Sequence, residues 1–326
     1  MGELLTLQVG HCGCQLGLQF WNELRLANNL SLSGHSTSAP DSRLFTESLS
    51  SHYSPNSLFI DTCPDTLTKM QHSDLGRFLS PFLTGSSSTS NQFGVGYFDQ
   101  QLLMDQLSFE LRKRSEKCDK LKQFQIIQAL GGGTGSGTGS KIVEMISENY
   151  QCDIKCCQVF PQSGFCLQSP NNCVLGVSKC LDCQMVWFDN QQLFSQYRSK
   201  NGMELVNGFI TQSITQQLFT NKQQIQLETN NVNGQQIQLV QAKTNETNEN
   251  DNQRKMRGEK EEVSQMQNKV RDLLQTQLDQ FQIIKQLNVR KYSHAEETAE
   301  MYDEAFDKVQ NVIQQYQDIH NIAESQ

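Results

Sequence analysis

The sequence predicts an α/β protein in which a parallel, doubly wound sheet is followed by C-terminal helices. Over residues 1–220, short apolar runs typical of buried strands alternate with amphipathic helical patterns. This alternation favours a parallel sheet with a ligand at the carboxyl ends of its strands. The strand-like runs are, in chain order, Leu4–Val9, Ser57–Asp61, Phe124–Leu130, Ile154–Phe160 and Gln184–Phe188.

The most informative segment is the glycine loop, Gly131–Gly137, with the sequence Gly-Gly-Gly-Thr-Gly-Ser-Gly. It follows a strand-like run that ends at Leu130 and precedes a helical pattern over Lys141–Asn149. Glycines let the backbone approach an anion closely, and the N–H groups at the start of a helix attract negative charge. Thr134 and Ser136 can add hydroxyl donors. We therefore predict a phosphate-binding loop. The alternative, a flexible glycine linker, is disfavoured by the flanking strand and helix.

The spacing of the loop excludes two common nucleotide-binding motifs. A P-loop needs a lysine after its last glycine, and the segment contains none. The dinucleotide pattern Gly-x-Gly-x-x-Gly fails in every register because Ser136, Thr138 and Ser140 occupy the required positions. The heptad does match the signature of the tubulin family, and the chain resembles a tubulin.

The resemblance implies a Rossmann-like GTPase domain that binds GTP or GDP, with Mg²⁺ bridging the phosphates. In that family, the backbone of residues corresponding to Gly131, Gly132, Gly133, Thr134, Gly135, Ser136 and Gly137 holds the phosphates. The implied partners are tubulin or tubulin-like subunits and microtubule or centriole proteins. The implied location is the cytoplasm and its cytoskeleton, including the centriole or basal body.

A second glycine turn, residues 10–15, follows the first strand and resembles the first nucleotide loop of the family, Gly-Gln-Cys-Gly-Asn-Gln. The resemblance implies that Gly10, His11, Cys12 and Gln15 contact the nucleotide. His11 replaces a glutamine that normally reaches the phosphates and the metal. Histidine still donates a hydrogen bond, but the alternative is a loop residue without a binding role.

The loop Asp61-Thr62-Cys63-Pro64 resembles the Asp-x-Glu-Pro loop of the family. This implies that Asp61 contacts phosphates and Mg²⁺. Cys63 stands where the family has a glutamate, and a thiol is a poor ligand for Mg²⁺. We therefore expect Mg²⁺ binding to be weak or to proceed through water.

Three asparagines complete the predicted site. Asn91 lies in a polar loop that resembles the third nucleotide loop of the family. Asn190 follows the last strand-like run, in Asp189–Leu193, where the family places the asparagine that contacts guanine. Asn207 lies on an amphipathic pattern over Met203–Phe219 that resembles the central helix of tubulins. An amide distinguishes guanine from adenine by its donor and acceptor order. The alternative for Asn190 is a helix N-cap.

The resemblance weakens after residue 220. Residues 1–220 are predicted to form the nucleotide-binding domain with the central helix. Residues 221–262 are rich in Gln and Asn and predict a linker that replaces most of the tubulin intermediate domain. Residues 263–326 predict a helical hairpin, which resembles the carboxy-terminal tubulin helices or simply packs on the domain. These departures favour a divergent member of the delta or epsilon kind.

The expected activity follows from the same resemblance to tubulins. No catalytic residue is assigned, because water attack would need an acid from a neighbouring subunit. We expect a weak or partner-dependent GTPase, with a non-hydrolysing structural partner of tubulin or centriolar proteins as the alternative.

The net charge of −8 argues against nucleic-acid binding, and no apolar run reaches the roughly 18 residues of a membrane span. Cys180 and Cys183 have zinc-like spacing but lack a second pair.

Overall fold

The computed structural model describes residues 2–49, 51–79, 81–197, 202–219, 230–232, 235–240, 252–286, 294 and 296–324. Among these residues the strands form one eight-stranded sheet and a separate two-stranded hairpin. The strands are β1 (Glu3–Val9), β2 (Phe45–Leu49), β3 (His52–Pro55), β4 (Ser57–Asp61), β5 (Phe82–Thr84), β6 (Leu121–Ala129), β7 (Asp153–Phe160), β8 (Gln184–Asp189), β9 (Asn230–Val232) and β10 (Gln235–Val240).

The helices surround this sheet. They are α1 (Gly10–Ala27), α2 (Pro64–Gln71), α3 (Asp74–Leu79), α4 (Phe93–Phe98), α5 (Gln101–Ser115), α6 (Gly139–Asn149), α7 (Ser169–Ser178), α8 (Asn190–Gln196), α9 (Gly202–Phe219), α10 (Asn252–Gln286) and α11 (Ala299–Glu324). A π-helical turn, Thr134–Thr138, leads directly into α6. None of the described helices has both the length and the apolar character that crossing a bilayer requires.

The sheet order is β5-β4-β1-β6-β7-β8-β10-β9, and every neighbouring pair is parallel except β9 and β10. The chain moves outward from β1 to β4 and β5 on one side, and from β6 to β7 and β8 on the other. The order therefore reverses between β1 and β6, which opens a crevice at the carboxyl ends of these strands. The predicted α/β fold with a parallel sheet and C-terminal helices is confirmed.

Two apolar cores cover the two faces of the sheet. Leu5, Leu7 and Val9 of β1 point into one core, which also contains buried residues of α5, α6, α7, α10 and α11. The second core packs the other face against α1 and α9 and includes Phe20 and Trp21. On this face Thr6 of β1 is satisfied because the Trp21 indole N–H donates to its hydroxyl at 3.1 Å. Burial on both faces explains why the strands are so apolar.

Two segments that the sequence predicts to be irregular contain regular structure. Residues 28–56 are rich in Ser, Asn and Pro, which predicts a surface loop, yet they include the antiparallel hairpin of β2 and β3. The predicted linker, 221–262, includes β9, β10 and the start of α10. The Gln-Ile-Gln-Leu alternation at 236–239 suits a strand, and the backbone of β10 pairs with β8 along Gln236–Val240. Because pairing with β8 satisfies backbone N–H and C=O groups of β10, this strand forms with few apolar side chains.

The C-terminal helices pack on the sheet domain. Helix α10 begins at Asn252, earlier than the predicted start of the hairpin at 263, and α11 begins at Ala299. The Phe281 ring of α10 is fully buried and lies 5.7 Å from the Tyr302 ring and 6.4 Å from the Phe306 ring of α11. Phe281 belongs to the same core as β1, so the hairpin shares the central hydrophobic core of the protein.

Replacing Phe281 with Ala should therefore destabilise the whole protein by about 3–5 kcal/mol, the usual cost of removing a fully buried aromatic ring. Urea unfolding followed by circular dichroism measures this change. Ile283 on the same helix is 56% exposed, so Ile283→Ala should change the free energy of unfolding by no more than about 0.5 kcal/mol. Equal effects of the two substitutions would contradict the packing described here.

Candidate functional site

The carboxyl ends of β1, β4 and β6 meet at one edge of the sheet. Gly10 follows β1 and has a left-handed backbone with φ of +74°. A Cβ at Gly10 would lie 3.2 Å from the Gly135 nitrogen, so the first loop touches the glycine loop through its backbone. Asp61 ends β4 at the same edge, because β4 pairs in parallel with β1. The sequence-predicted residues of these three loops are thus brought together.

The glycine loop is held by close contacts between backbone atoms. A Cβ at Gly135 would lie 2.1 Å from the Ala129 carbonyl oxygen, and one at Gly133 would lie 2.3 Å from the Gln92 carbonyl oxygen. Gly137 is enclosed in the same way, 2.1 Å from the Phe93 carbonyl oxygen. Side chains at these positions would push the loop away from β6 and α4. These glycines are therefore required by the packing of the protein itself.

Gly132 differs from its neighbours. Among the described residues, a Cβ at this position would meet only Asn91 Oδ1, at an ordinary contact distance of 3.6 Å. Its glycine identity is not explained by packing. The position lies just before the continuous helical segment formed by the π-helical turn and α6. The first N–H groups of a helix in general have no partner within it. An open glycine beside a helix N-terminus is suited to receiving an anion.

The hydroxyl groups of the loop are engaged with other protein groups. The Ser136 N–H and Oγ both donate to the Gly132 carbonyl oxygen, at 3.0 and 2.7 Å. Ser136 is fully buried, so its hydroxyl shapes the loop and is not available to a ligand, contrary to our expectation. Thr134 Oγ1 lies 2.6 Å from Thr62 Oγ1 and 3.3 Å from Thr89 Oγ1. This threonine cluster connects the loops that follow β4, β5 and β6.

Asn172 and Ser169, at the start of α7, are residues that the sequence analysis did not identify. The Asn172 side-chain amide donates to the carbonyl oxygens of Gly131 and Asn91, each at 2.9 Å. Ser169 Oγ also donates to the Gly131 carbonyl oxygen, at 3.1 Å. Asn172 is only 1% exposed and joins two loops that are distant in sequence. No local pattern marks such a residue, because its role depends entirely on tertiary contacts.

His11 and Gln15 lie on the exposed first turns of α1, because the predicted glycine turn, residues 10–15, is helical from Gly10 onward. Gln15 Nε2 is 2.9 Å from His11 Nε2, and His11 Nδ1 is 3.2 Å from Thr66 Oγ1. Both side chains are exposed and remain within reach of a ligand. Cys12 beside them is half-buried, and burial raises the pKa of its thiol to about 11. Cys12 is therefore a neutral thiol at physiological pH.

Asp61 is the carboxylate of the site. It is 2% exposed, and its Oδ1 accepts a hydrogen bond from the Cys63 N–H at 3.2 Å. Its Oδ2 is buried and has no hydrogen-bond partner among the described residues. Burial raises the pKa of Asp61, while the Cys63 amide, the Thr66 hydroxyl and His11 partly offset the rise. A cation near Oδ2 would compensate the buried charge. Within the described residues, no group of three His, Cys, Asp or Glu side chains could hold a metal ion.

Asn91 and Asn190 present amides near the same edge. Asn91 has a left-handed backbone with φ of +61°, and its exposed amide lies beside Gly132. Asn190 is the first residue of α8, but the N-cap of this helix is Asp189. Asp189 Oδ1 accepts from the N–H groups of Gln191 and Gln192 at 2.9 and 3.3 Å. The capping role is thus filled by Asp189, which leaves the Asn190 amide out of the cap.

The orientation of α9 places Asn207 toward the same edge of the sheet. Gln217 near the end of α9 accepts a hydrogen bond from Lys155, which lies near the amino end of β7. The C-terminal end of α9 is therefore at the amino edge of the sheet. Asn207 precedes Gln217 by ten residues, about 15 Å of helix, which carries it toward the carboxyl edge. Phe209 supports this placement, since its ring lies 6.1 Å from that of Tyr197 after α8.

Comparison with known proteins agrees with this architecture. A family model described as Tubulin/FtsZ family, GTPase domain, matches residues 3–198. The chain belongs to the tubulin/FtsZ family. Similar proteins include the tubulin beta-1 chain of Chondrus crispus, 30% identical over 209 residues, which cover 59% of this chain and 46% of that protein. The tubulin beta-1 chain of Homo sapiens is 29% identical over 208 residues, with 60% and 46% covered.

A third relative, the tubulin beta-2 chain of Emericella nidulans, is 34% identical over 159 residues, which cover 46% of this chain and 35% of that protein. This tubulin-family chain thus spans about half the length, or less, of the curated relatives that it matches. The family-model match includes the first loop, Asp61, the glycine loop and Asn190. Asn207 and the C-terminal helices lie beyond it, and the expected delta or epsilon character stays a prediction.

We expect Asn172→Ala to destabilise the tubulin-family chain by about 1–3 kcal/mol, because the Asn91 carbonyl oxygen loses the Asn172 donor and the buried Gly131 carbonyl oxygen keeps only Ser169 Oγ. Hydrogen exchange over residues 131–138 should accelerate, since Gly131 is no longer fixed to Asn91. The control is Asn149→Ala, which removes an amide that donates to the Met145 carbonyl oxygen at an exposed site. The role assigned to Asn172 is wrong if both variants exchange at the wild-type rate.

Proposed function

We propose that this chain binds a guanine nucleotide, GTP or GDP, at the carboxyl edge of β1, β4 and β6. The phosphates lie over Gly131–Thr134 and against Gly10, at the N-terminus of the π-helical turn and α6. The observation that carries the proposal is the open position at Gly132, the glycine of the loop for which packing gives no reason. Backbone dipoles hold the negative charge, since the loop contains no lysine.

The side chains around the loop suit the remaining parts of the nucleotide. His11 and Gln15 offer exposed donors beside the phosphates, with Cys12 as a neutral neighbour. Asn91 lies next to Gly132 and reaches the sugar or a phosphate. Asn190 and Asn207 contact the base, where an amide that offers both a donor and an acceptor selects guanine over adenine.

Mg²⁺ fits the site through Asp61. Magnesium commonly binds one or two carboxylates together with phosphate oxygens and retained waters. Asp61 Oδ2, buried and without a hydrogen-bond partner, is the protein oxygen available for this role. Cys63 does not suit the ion, so the protein supplies one carboxylate and the phosphates supply the other ligands. When bound, the ion neutralises phosphate charge.

Hydrolysis by the isolated chain is proposed to be slow or absent. Attack of water on the γ-phosphate gives GDP and phosphate, and it needs a group that orients the water. Asp61 is the one carboxylate among the assigned site residues, and it is committed to the metal. The orienting group would therefore come from a neighbouring tubulin or tubulin-like subunit. This supports a cytoskeletal role on microtubules, with the centriole or basal body as the specific location to be tested.

A second candidate is a structural partner of tubulin or centriolar proteins that binds nucleotide without hydrolysing it. It is favoured by the short segment between α9 and α10, which adds β9 and β10 to the nucleotide sheet. Phosphate-release assays with and without αβ-tubulin separate the two roles. Release only in the presence of tubulin supports the first role, and no release in either condition supports the second.

The nucleotide proposal is tested by Gly132→Ala. The added methyl group fits the protein but occupies the space facing the loop, so fluorescent-GTP titration should show about tenfold or greater loss of affinity, at least about 1.4 kcal/mol. Gly208→Ala is the matched control, because among the described residues nothing outside the adjoining backbone of α9 lies within 4 Å of a Cβ at that position. Competition with GDP should succeed and competition with ATP should fail.

Two outcomes count against the proposal. One is a purified wild-type chain that does not bind GTP or GDP. The other is a folded Gly132→Ala protein that binds GTP as tightly as the wild type. A thermal melt of each variant without nucleotide establishes that the protein is folded.

The metal assignment is tested by Asp61→Asn. We expect Mg²⁺ to tighten GTP binding by the wild-type chain, and the substitution to remove most of this gain because a neutral amide binds Mg²⁺ poorly. Asp65→Asn is the control, since Asp65 is exposed on the first turn of α2. Titrations with Mg²⁺ and with EDTA give the comparison. An undiminished Mg²⁺ effect in Asp61→Asn would rule out this carboxylate as a ligand.

A further inference from the structure

Two residues that precede α11, His294 and Glu297, contact the two ends of α4. The Gly94 N–H, near the start of α4, donates to Glu297 Oε1 at 2.6 Å. At the other end, His294 Nε2 lies 3.0 Å from Oδ2 of Asp99, the residue that ends α4. The His294 ring also stacks on the Phe98 ring, with centroids 5.6 Å apart. We call these contacts of His294 and Glu297 with α4 the clasp.

The clasp supplies a hydrogen-bond acceptor for the N-terminus of α4. Its N-cap residue, Gln92, makes no side-chain capping bond, so the first N–H groups need another acceptor. Glu297 supplies a carboxylate, which is also favoured by the positive end of the helix dipole. Gly94 permits this approach, because a Cβ there would lie 2.2 Å from His294 Cβ and 2.5 Å from Glu297 Oε1.

The opposite side of α4 is pressed against the glycine loop. A Cβ at Gly96 would lie 2.3 Å from the Gly133 carbonyl oxygen, and Thr138 Oγ1 donates to the Gly96 carbonyl oxygen at 2.9 Å. Gly133 and Gly137 also meet the backbone of Gln92 and Phe93. These contacts join rigid backbone atoms, so a shift of α4 must move the loop.

Glu297 also connects this arrangement to the C-terminal helices. Its second carboxylate oxygen accepts a hydrogen bond from the Tyr302 hydroxyl of α11. Tyr302 in turn packs its ring against that of Phe281 on α10. A chain of direct contacts therefore runs from α10 and α11 through Glu297 and α4 to Gly133.

We propose that Glu297 is a positioning residue for the nucleotide site, although it lies outside the family-model match to residues 3–198. By capping α4 it fixes the geometry of the glycine loop, and bound nucleotide in return stabilises the docked state of the C-terminal helices. This inference rests on the proposed binding of a guanine nucleotide. The reciprocity follows from linkage, since two coupled binding equilibria must affect each other equally.

The experiment compares Glu297→Ala, Glu297→Gln and Glu296→Ala in the full chain. Glu296 is the exposed neighbour and carries the same charge. Fluorescent-GTP titration should show about tenfold weaker binding for Glu297→Ala. Glu297→Gln keeps an oxygen that accepts from Gly94 and should stay within about threefold of the wild type, whereas Glu296→Ala should match it.

Hydrogen exchange provides the readout that separates positioning from general stability. In the nucleotide-free protein, Glu297→Ala should accelerate exchange over residues 92–98 and 131–138 while β7 and β8 keep wild-type protection. Adding GTP to the wild type should slow exchange over 296–302, and this slowing should be lost in Glu297→Ala.

The outcomes distinguish this inference from the proposed function. If the wild type binds no guanine nucleotide, the proposed function fails, and the exchange of the nucleotide-free loop still tests the clasp. If the wild type binds GTP and Glu297→Ala binds it equally well with unchanged loop exchange, the clasp inference is overturned. If Glu297→Ala does not fold, Glu297→Gln is compared with the wild type. GTP-dependent protection of residues 296–302 in both proteins supports the inference, and its absence from both overturns it.

Discussion

The structure depends on one constraint, the direct packing of the glycine-loop backbone against its neighbours. Gly135 lies against the end of β6, Gly133 and Gly137 lie against α4, and Gly10 of the first loop touches Gly135. Contacts between backbone atoms have no flexible side chain that could absorb a displacement. The loop therefore has one well-defined position, and every element that fixes α4 or β6 contributes to the shape of the site.

The polar groups of the site fall into two sets with different roles. Asn172, Ser136 and Thr134 are buried and satisfy protein atoms, so they fix the loops in advance of any ligand. His11 and Gln15 are exposed, and their side chains lie within hydrogen-bond distance of each other and, for His11, of Thr66. A site whose buried groups are already fixed, with exposed groups at its entrance, suits binding of a charged ligand, because little ordering is needed on association.

The sequence predicted those features that depend on local pattern. The heptad 131–137 predicted the loop between strand and helix, and alternating apolar segments predicted the parallel sheet. The strand β10 was missed because its stability derives from pairing with β8 rather than from its own apolar content. Asn172 and Glu297 were missed because the backbone groups that their side chains bind lie 41 to 203 positions away in the chain. The internal hydrogen bond of the Ser136 hydroxyl was not foreseen, because spacing does not tell which hydroxyls are used within the protein; Ser136 as a nucleotide-binding residue stays a prediction.

The outermost strands of the described sheet, β5 and β9, are each three residues long. A strand of this length exposes very few unpaired backbone groups, which makes a poor template for adding a strand from another molecule. Within the described residues, neither edge strand therefore favours edge-to-edge β-pairing between copies. Were copies of this chain to associate, the contacts would fall on the described helical faces and loops, where side chains select a partner by shape and charge.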